Sequence, residues 1–161
     1  MRFIKKTIAM LLSATLLVAM LSGCQSSTVL DFNELYTSLA NANLFEGSNM
    51  TKMGQQALDN FYYIDEADLK DGNYLIYFAE TSTGKADEVA MFEASDESKV
   101  VTIQSLIQDR INDLKIRFES YAPDEMPKLE SAVVKTKGNY VVMVISQDNE
   151  KAATIVDEAL Q

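Results

Sequence analysis

The chain has 161 residues with 24 acidic and 14 basic side chains, a formal net charge of −10. That balance disfavours nucleic-acid binding, which needs clustered Lys and Arg against phosphate, and it disfavours docking on anionic lipid through a basic patch. There is no histidine, no tryptophan and a single cysteine, which excludes a histidine-based triad, a zinc site of the usual ligand set and an intramolecular disulfide.

The first 23 residues have the layout of an export signal. Arg2, Lys5 and Lys6 precede an uncharged apolar run from Ile8 to Leu21, after which small residues lead to Cys24. A run of about 14 residues is short for a membrane span, which needs about 20, and positive charge before it gives the orientation of a secretory signal. Leu21-Ser22-Gly23-Cys24 resembles the lipobox of bacterial lipoproteins, in which the cysteine is both the cleavage point and the lipidation point. The resemblance implies residues 1–23 as a signal peptide, Cys24 as the lipidated first residue of the mature chain, and residues 24–30 as a short tether. A lone thiol outside the cell is a liability that acylation removes, and two acyl chains hold a protein at a membrane where one does not. Removing residues 1–23 takes three basic and no acidic residues, so about 138 residues of charge −13 remain. That length suits one domain, residues 31–161.

Asp31 with Glu34 three residues on reads as a capping box, and Phe32, Leu35, Tyr36 and Leu39 follow at helical spacing, predicting a helix over 32–42. Gly47, Ser48 and Gly54 act as breakers and leave 43–54 ambiguous. A shorter helix is expected from Gln56 to Phe61, then a strand over Tyr74–Ala79, a turn through Thr81-Ser82-Thr83-Gly84, and a second strand from Glu88 to Glu93. The clearest helix runs from a cap at Ser95 or Asp96 to Tyr121, with Val100, Ile103, Ile107, Ile111, Leu114, Phe118 and Tyr121 on one stripe and Pro123 and Pro127 stopping it. Ala132–Thr136 and Tyr140–Ile145 flank a Gly138-Asn139 turn and read as a hairpin. The second of these strands is apolar on both faces, as a buried interior strand is. Asp148 caps a last helix whose Ala152, Ile155, Val156 and Ala159 face inward. The expected fold is α+β: a two-layer, four-stranded antiparallel sheet in ββαββα order, covered by helices, with extra N-terminal helices.

Chemistry-bearing constellations are sparse. No phosphate-cradling glycine motif occurs. The segment Asp65–Asn73 is acidic and loop-like, but Ala67 and Leu69 stand where a calcium loop needs ligands, so it reads as a capped turn entering a strand. Ser131 with Lys135 or Lys137 makes a Ser-Lys pair on paper, without a nucleophile motif around it. Phe61, Tyr62, Tyr63, Tyr74, Tyr77 and Phe78 crowd 18 positions. They fit a core with tyrosine hydroxyls reaching the surface or, alternatively, an exposed patch for a partner. No catalytic, cofactor-binding or metal residue is assigned.

Phe61-Tyr62-Tyr63-Ile64-Asp65, Ala86–Phe92, Phe118–Leu129 with its Tyr121-Ala122-Pro123, and Val133–Val141 with its Lys137-Gly138-Asn139-Tyr140 together resemble the DUF4358 family. The resemblance spans residues 55–160. It implies a small lipoprotein of Gram-positive bacteria, anchored on the extracytoplasmic face of the cell membrane through Cys24, and it brings no activity. The expected role is a non-catalytic interaction or accessory module of the cell envelope, with an envelope protein as partner and no cofactor. The alternatives are a small-ligand or peptide-binding lipoprotein and, behind it, a carboxylate-dependent envelope hydrolase.

Overall fold

The computed structural model describes residues 29–161; Cys24, the expected signal peptide and most of the expected tether lie outside the described residues. Helix α1 (Phe32–Asn41) starts where Asp31 accepts hydrogen bonds from the Asn33 and Glu34 amides, and it buries Phe32, Leu35 and Leu39. Strand β1 (Met50–Met53) follows. Next come one turn of helix, α2 (Gln55–Ala57), and a wider π-turn over Leu58–Tyr62 that ends on left-handed Tyr63. A 3₁₀ turn over Glu66–Asp68 enters β2 (Leu69–Ala79), and β3 (Glu88–Ala94) returns beside it. The long helix α3 (Glu97–Tyr121) is capped by Asp96, whose side chain accepts from the Ser98 and Lys99 amides. A 3₁₀ turn at Pro123–Glu125 continues into α4 (Met126–Glu130), the hairpin β4 (Val133–Lys137) and β5 (Tyr140–Ile145), and α5 (Asn149–Ala159).

The sheet is antiparallel throughout, with five strands in the order β1-β2-β3-β5-β4. The expected four-stranded sheet is therefore corrected by one strand, and ββαββα describes only the part from β2 onward. The addition is β1, whose Met-Thr-Lys-Met run is too short and too polar to show a strand period in sequence. The two-layer expectation is corrected as well, because both faces are covered. Alternate strand residues point to opposite faces, so Ile76, Ala90, Phe92, Val141, Met143 and Ile145 pack with α3. Leu75, Val89, Met91, Val142 and Val144 pack with α1 and α5 on the other side.

Strand β3 takes the middle, and all seven of its residues are buried. β5 is buried beside it from Val141 onward, whereas β4 lies at an edge and exposes Thr136 and Lys137. Lys137 pairs with Tyr140 across a two-residue turn whose first residue, Gly138, has φ +55°, a conformation glycine adopts freely. Tyr121 does not face inward as its place on the stripe predicted, being 63% exposed where the helix ends. No helix among the described residues is long and apolar enough to cross a membrane.

Candidate functional site

The chemistry of the domain gathers where β3 begins. Strand alternation points Glu88 to the α3 face, beside Ala90 and Phe92, and α3 presents Arg110 to it. Arg110 stands three residues after Ile107 and four before Leu114, on the buried stripe itself. Its Nε donates to Glu88 Oε1 at 3.0 Å and its Nη2 to Oε2 at 2.7 Å, a bidentate pair with side chains only 7% and 3% exposed. The Tyr62 hydroxyl donates to the same carboxylate. The guanidinium carbon also lies 5.0 Å from the Phe61 ring centre, 5.0 Å from that of Phe78 and 5.9 Å from that of Tyr62. Burial pushes the Tyr62 phenol well above its ordinary value, and the Glu88 charge pushes it the same way. For Arg110 burial acts against the charge, and the attraction and hydrogen bonds of Glu88 outweigh it.

A second network joins the same end of the sheet to α4. Asp87 accepts from the Ser48 hydroxyl and from Lys128 Nζ at 3.1 Å. Lys128 also pairs with Glu125 at 2.7 Å, one helical turn away. Glu125 in turn accepts from the Ala86 amide at 3.0 Å and faces Lys85 at 3.7 Å. Burial works against the Glu125 charge, yet the Lys128 and Ala86 hydrogen bonds hold its carboxyl below the usual range. At the far end of β3, Glu93 is held the same way. The irregularity in β2 between Leu69 and Tyr74 brings Lys70 Nζ to within 2.7 Å of its Oε1 and Asn73 Nδ2 to within 2.8 Å of its Oε2.

Above Arg110 opens a cavity of about 230 Å³, lined among others by Phe61, Phe78, Leu114, Phe118, Tyr121 and Arg117. It lies between the π-turn, the loop that joins β2 to β3, and the last two turns of α3. The π-turn matters to its shape: the wider coil turns Phe61 and Tyr62 toward the sheet and leaves Tyr63 69% exposed. The crowded aromatic segment is therefore mostly core, with Phe61 and Phe78 meeting edge to face at 5.4 Å. Tyr77 belongs to the other face, stacked on Tyr36 at 3.7 Å.

The remaining sequence candidates are not brought together. Asp65 accepts from the Ala67 amide and caps its 3₁₀ turn, while Asp68 pairs with Lys99 at 2.6 Å. Only residues 65–68 form the capped turn, and 69–73, read from sequence as part of it, already belong to β2. Among the described residues no group of three or more His, Cys, Asp or Glu is arranged to hold a metal ion. The Ser131 hydroxyl donates to the Pro127 carbonyl, Lys135 pairs with Asp157, and Lys137 donates to the Gln161 carbonyl, so no Ser-Lys dyad forms. Sequence reasoning missed Arg110 and Glu88. The signal was present in an arginine at stripe spacing and an acid opening an apolar strand, either of which is costly to bury without the other.

A family model described as Domain of unknown function (DUF4358) matches residues 44–146. The match runs from before β1 to the end of β5 and leaves out α1 and α5, so it begins earlier and stops sooner than the 55–160 resemblance read from sequence. No curated protein and no solved structure matches the chain.

Proposed function

The chain belongs to the DUF4358 family, and we propose that it works as a non-catalytic binding module of the cell envelope, held at the extracytoplasmic face of the membrane by lipid on Cys24. The observation that carries the non-catalytic part is the state of the acids at the mouth of β3. Glu88 accepts from Arg110 and Tyr62, and Asp87 from Lys128 and Ser48. A general base needs a lone pair aimed at the substrate, and these carboxylates spend theirs on the fold. A carboxylate-dependent hydrolase is for that reason the weakest of the three readings.

The anchor rests on the resemblance of Leu21–Cys24 to a lipobox; with a charge of −13 on the remaining chain, the lipid and not a basic patch would do the holding. Affinity capture from detergent-solubilised membranes of the producing bacterium, with Cys24→Ala as the control, tests the module reading. A reproducible envelope protein enriched with the lipidated form supports it, and no reproducible enrichment overturns it. The cavity beside Arg110 favours a second reading, capture of a small ligand, because it is concave and sets aromatic walls beside charged side chains.

A further inference from the structure

We propose that the cavity above Arg110 is a binding site for a small aryl carboxylate, a single aromatic ring carrying a carboxylate on a short arm. This rests on the small-ligand form of the binding-module reading and names its ligand class.

Size sets the first limit. About 230 Å³ falls below the roughly 300–1,000 Å³ of sites that take drug-sized ligands, so one ring with a short substituent fills it. The walls set the second. Phe61, Phe78, Phe118 and Tyr121 line the space with Leu114, and aromatic faces and edges favour a ring over an aliphatic chain of equal volume.

Charge sets the third, and it runs against the rest of the molecule. In a chain with ten more acidic than basic residues, this cavity is lined by three cations, Lys85, Arg110 and Arg117, and two acids, Asp87 and Glu88. Glu88 and Arg110 neutralise each other, Asp87 is paired with Lys128 and Lys85 faces Glu125, which leaves Arg117 as the cation that carries the positive charge of the cavity. Arg117 makes no ion pair and no hydrogen bond among the described residues, while Arg110, two helical turns earlier on the same face of α3, uses only Nε and Nη2 on Glu88. An unpaired guanidinium beside aromatic walls matches a planar carboxylate, which the Arg117 fork can hold through two parallel bonds.

Isothermal titration of the mature lipidated protein in detergent-matched buffer tests this with phenylacetate and 3-phenylpropionate. Acetate is the control without a ring and benzylamine the control without the anion. The expected result is saturable one-to-one binding of the aryl carboxylates, with neither control binding comparably. Arg117→Ala should weaken binding about tenfold or more, the loss of its charge-assisted bonds, and Tyr121→Ala should weaken it less. Both side chains are exposed, so the thermal midpoint of the unliganded protein stays put and separates a lost contact from a lost fold. No aryl carboxylate binding up to low millimolar concentration, equal binding of acetate, or an unchanged affinity in Arg117→Ala would each overturn the inference. These outcomes leave the capture of an envelope protein untouched, so the two failures are distinguishable.

Discussion

At the scale of single residues the domain is organised by acids that cannot be left alone. Glu88 sits at the edge of an apolar core with 3% of its side chain exposed, and only the fork of Arg110 and the Tyr62 hydroxyl make that position tolerable. Removing one partner of such a pair strands the other charge. Arg110→Met should therefore cost about 3–5 kcal/mol in urea unfolding at neutral pH, and Arg110→Met with Glu88→Met together should recover most of that loss. A double variant as unstable as the single one would mean that the pair is not what the core depends on.

Acid stability follows from Glu93 and Glu125, whose carboxyls are held below their ordinary values in the folded state. The folded form therefore binds protons less readily than the unfolded one. Their contribution is complete above the unfolded value of about 4.3 and is lost as pH falls through the lower folded values. The thermal midpoint should drop from about pH 5 downward. Glu125→Gln, less stable at neutral pH, should show a shallower fall over the same range. Tyr62 works in the opposite direction: its raised value means the unfolded chain ionises first, so stability should decline as pH rises through about 10.

At the scale of elements, the ends are more telling than the middles. Asp31 and Asp96 each accept two main-chain amides at the starts of α1 and α3, so Asp31→Ala and Asp96→Ala should each cost about 1 kcal/mol. Circular-dichroism melts of the two variants read that directly. Gly72 is a stricter position. It has φ +64°, and a Cβ there would lie 2.9 Å from Glu66 Oε1. Gly72→Ala should therefore destabilise by more than about 1 kcal/mol, with the Lys70 and Asn73 contacts to Glu93 loosened.

These same elements show what a sequence makes legible. Capped helices with an apolar stripe, such as α1 and α3, and a hairpin with glycine at its turn, such as β4–β5, announce themselves because local chemistry and period agree. The two ends of the β2 region did not. β1 is four residues of an edge strand with no alternation to read, and Asp71-Gly72-Asn73 looked like a turn because its left-handed residues are ones that turns favour, although they sit inside β2. The ion pairs were hidden for a different reason. Arg110 lies 22 residues from Glu88 and Lys128 lies 41 from Asp87, and only the folded sheet brings those partners together. Spacing alone puts Tyr121 inward, but the stripe runs one turn past the core it covers.

At the scale of the whole molecule, a five-stranded sheet covered on both faces carries a net acidic charge, with an aromatic cavity that Arg117 also lines at the start of its central strand. The family match covers the sheet and α3 but not α1 or α5, the two helices that close the second core. An acidic domain of this kind has no electrostatic means of staying at a membrane, and acylation of Cys24 is what would make it a component of the envelope. Intact-mass spectrometry of the protein extracted from membranes with detergent tests that anchorage most directly. The predicted result is a chain that begins at Cys24, lacks residues 1–23 and carries the added mass of a diacylated glyceryl group, with none of that mass in Cys24→Ala. A chain that retains residues 1–23, or that begins at Cys24 without acyl groups, would contradict it.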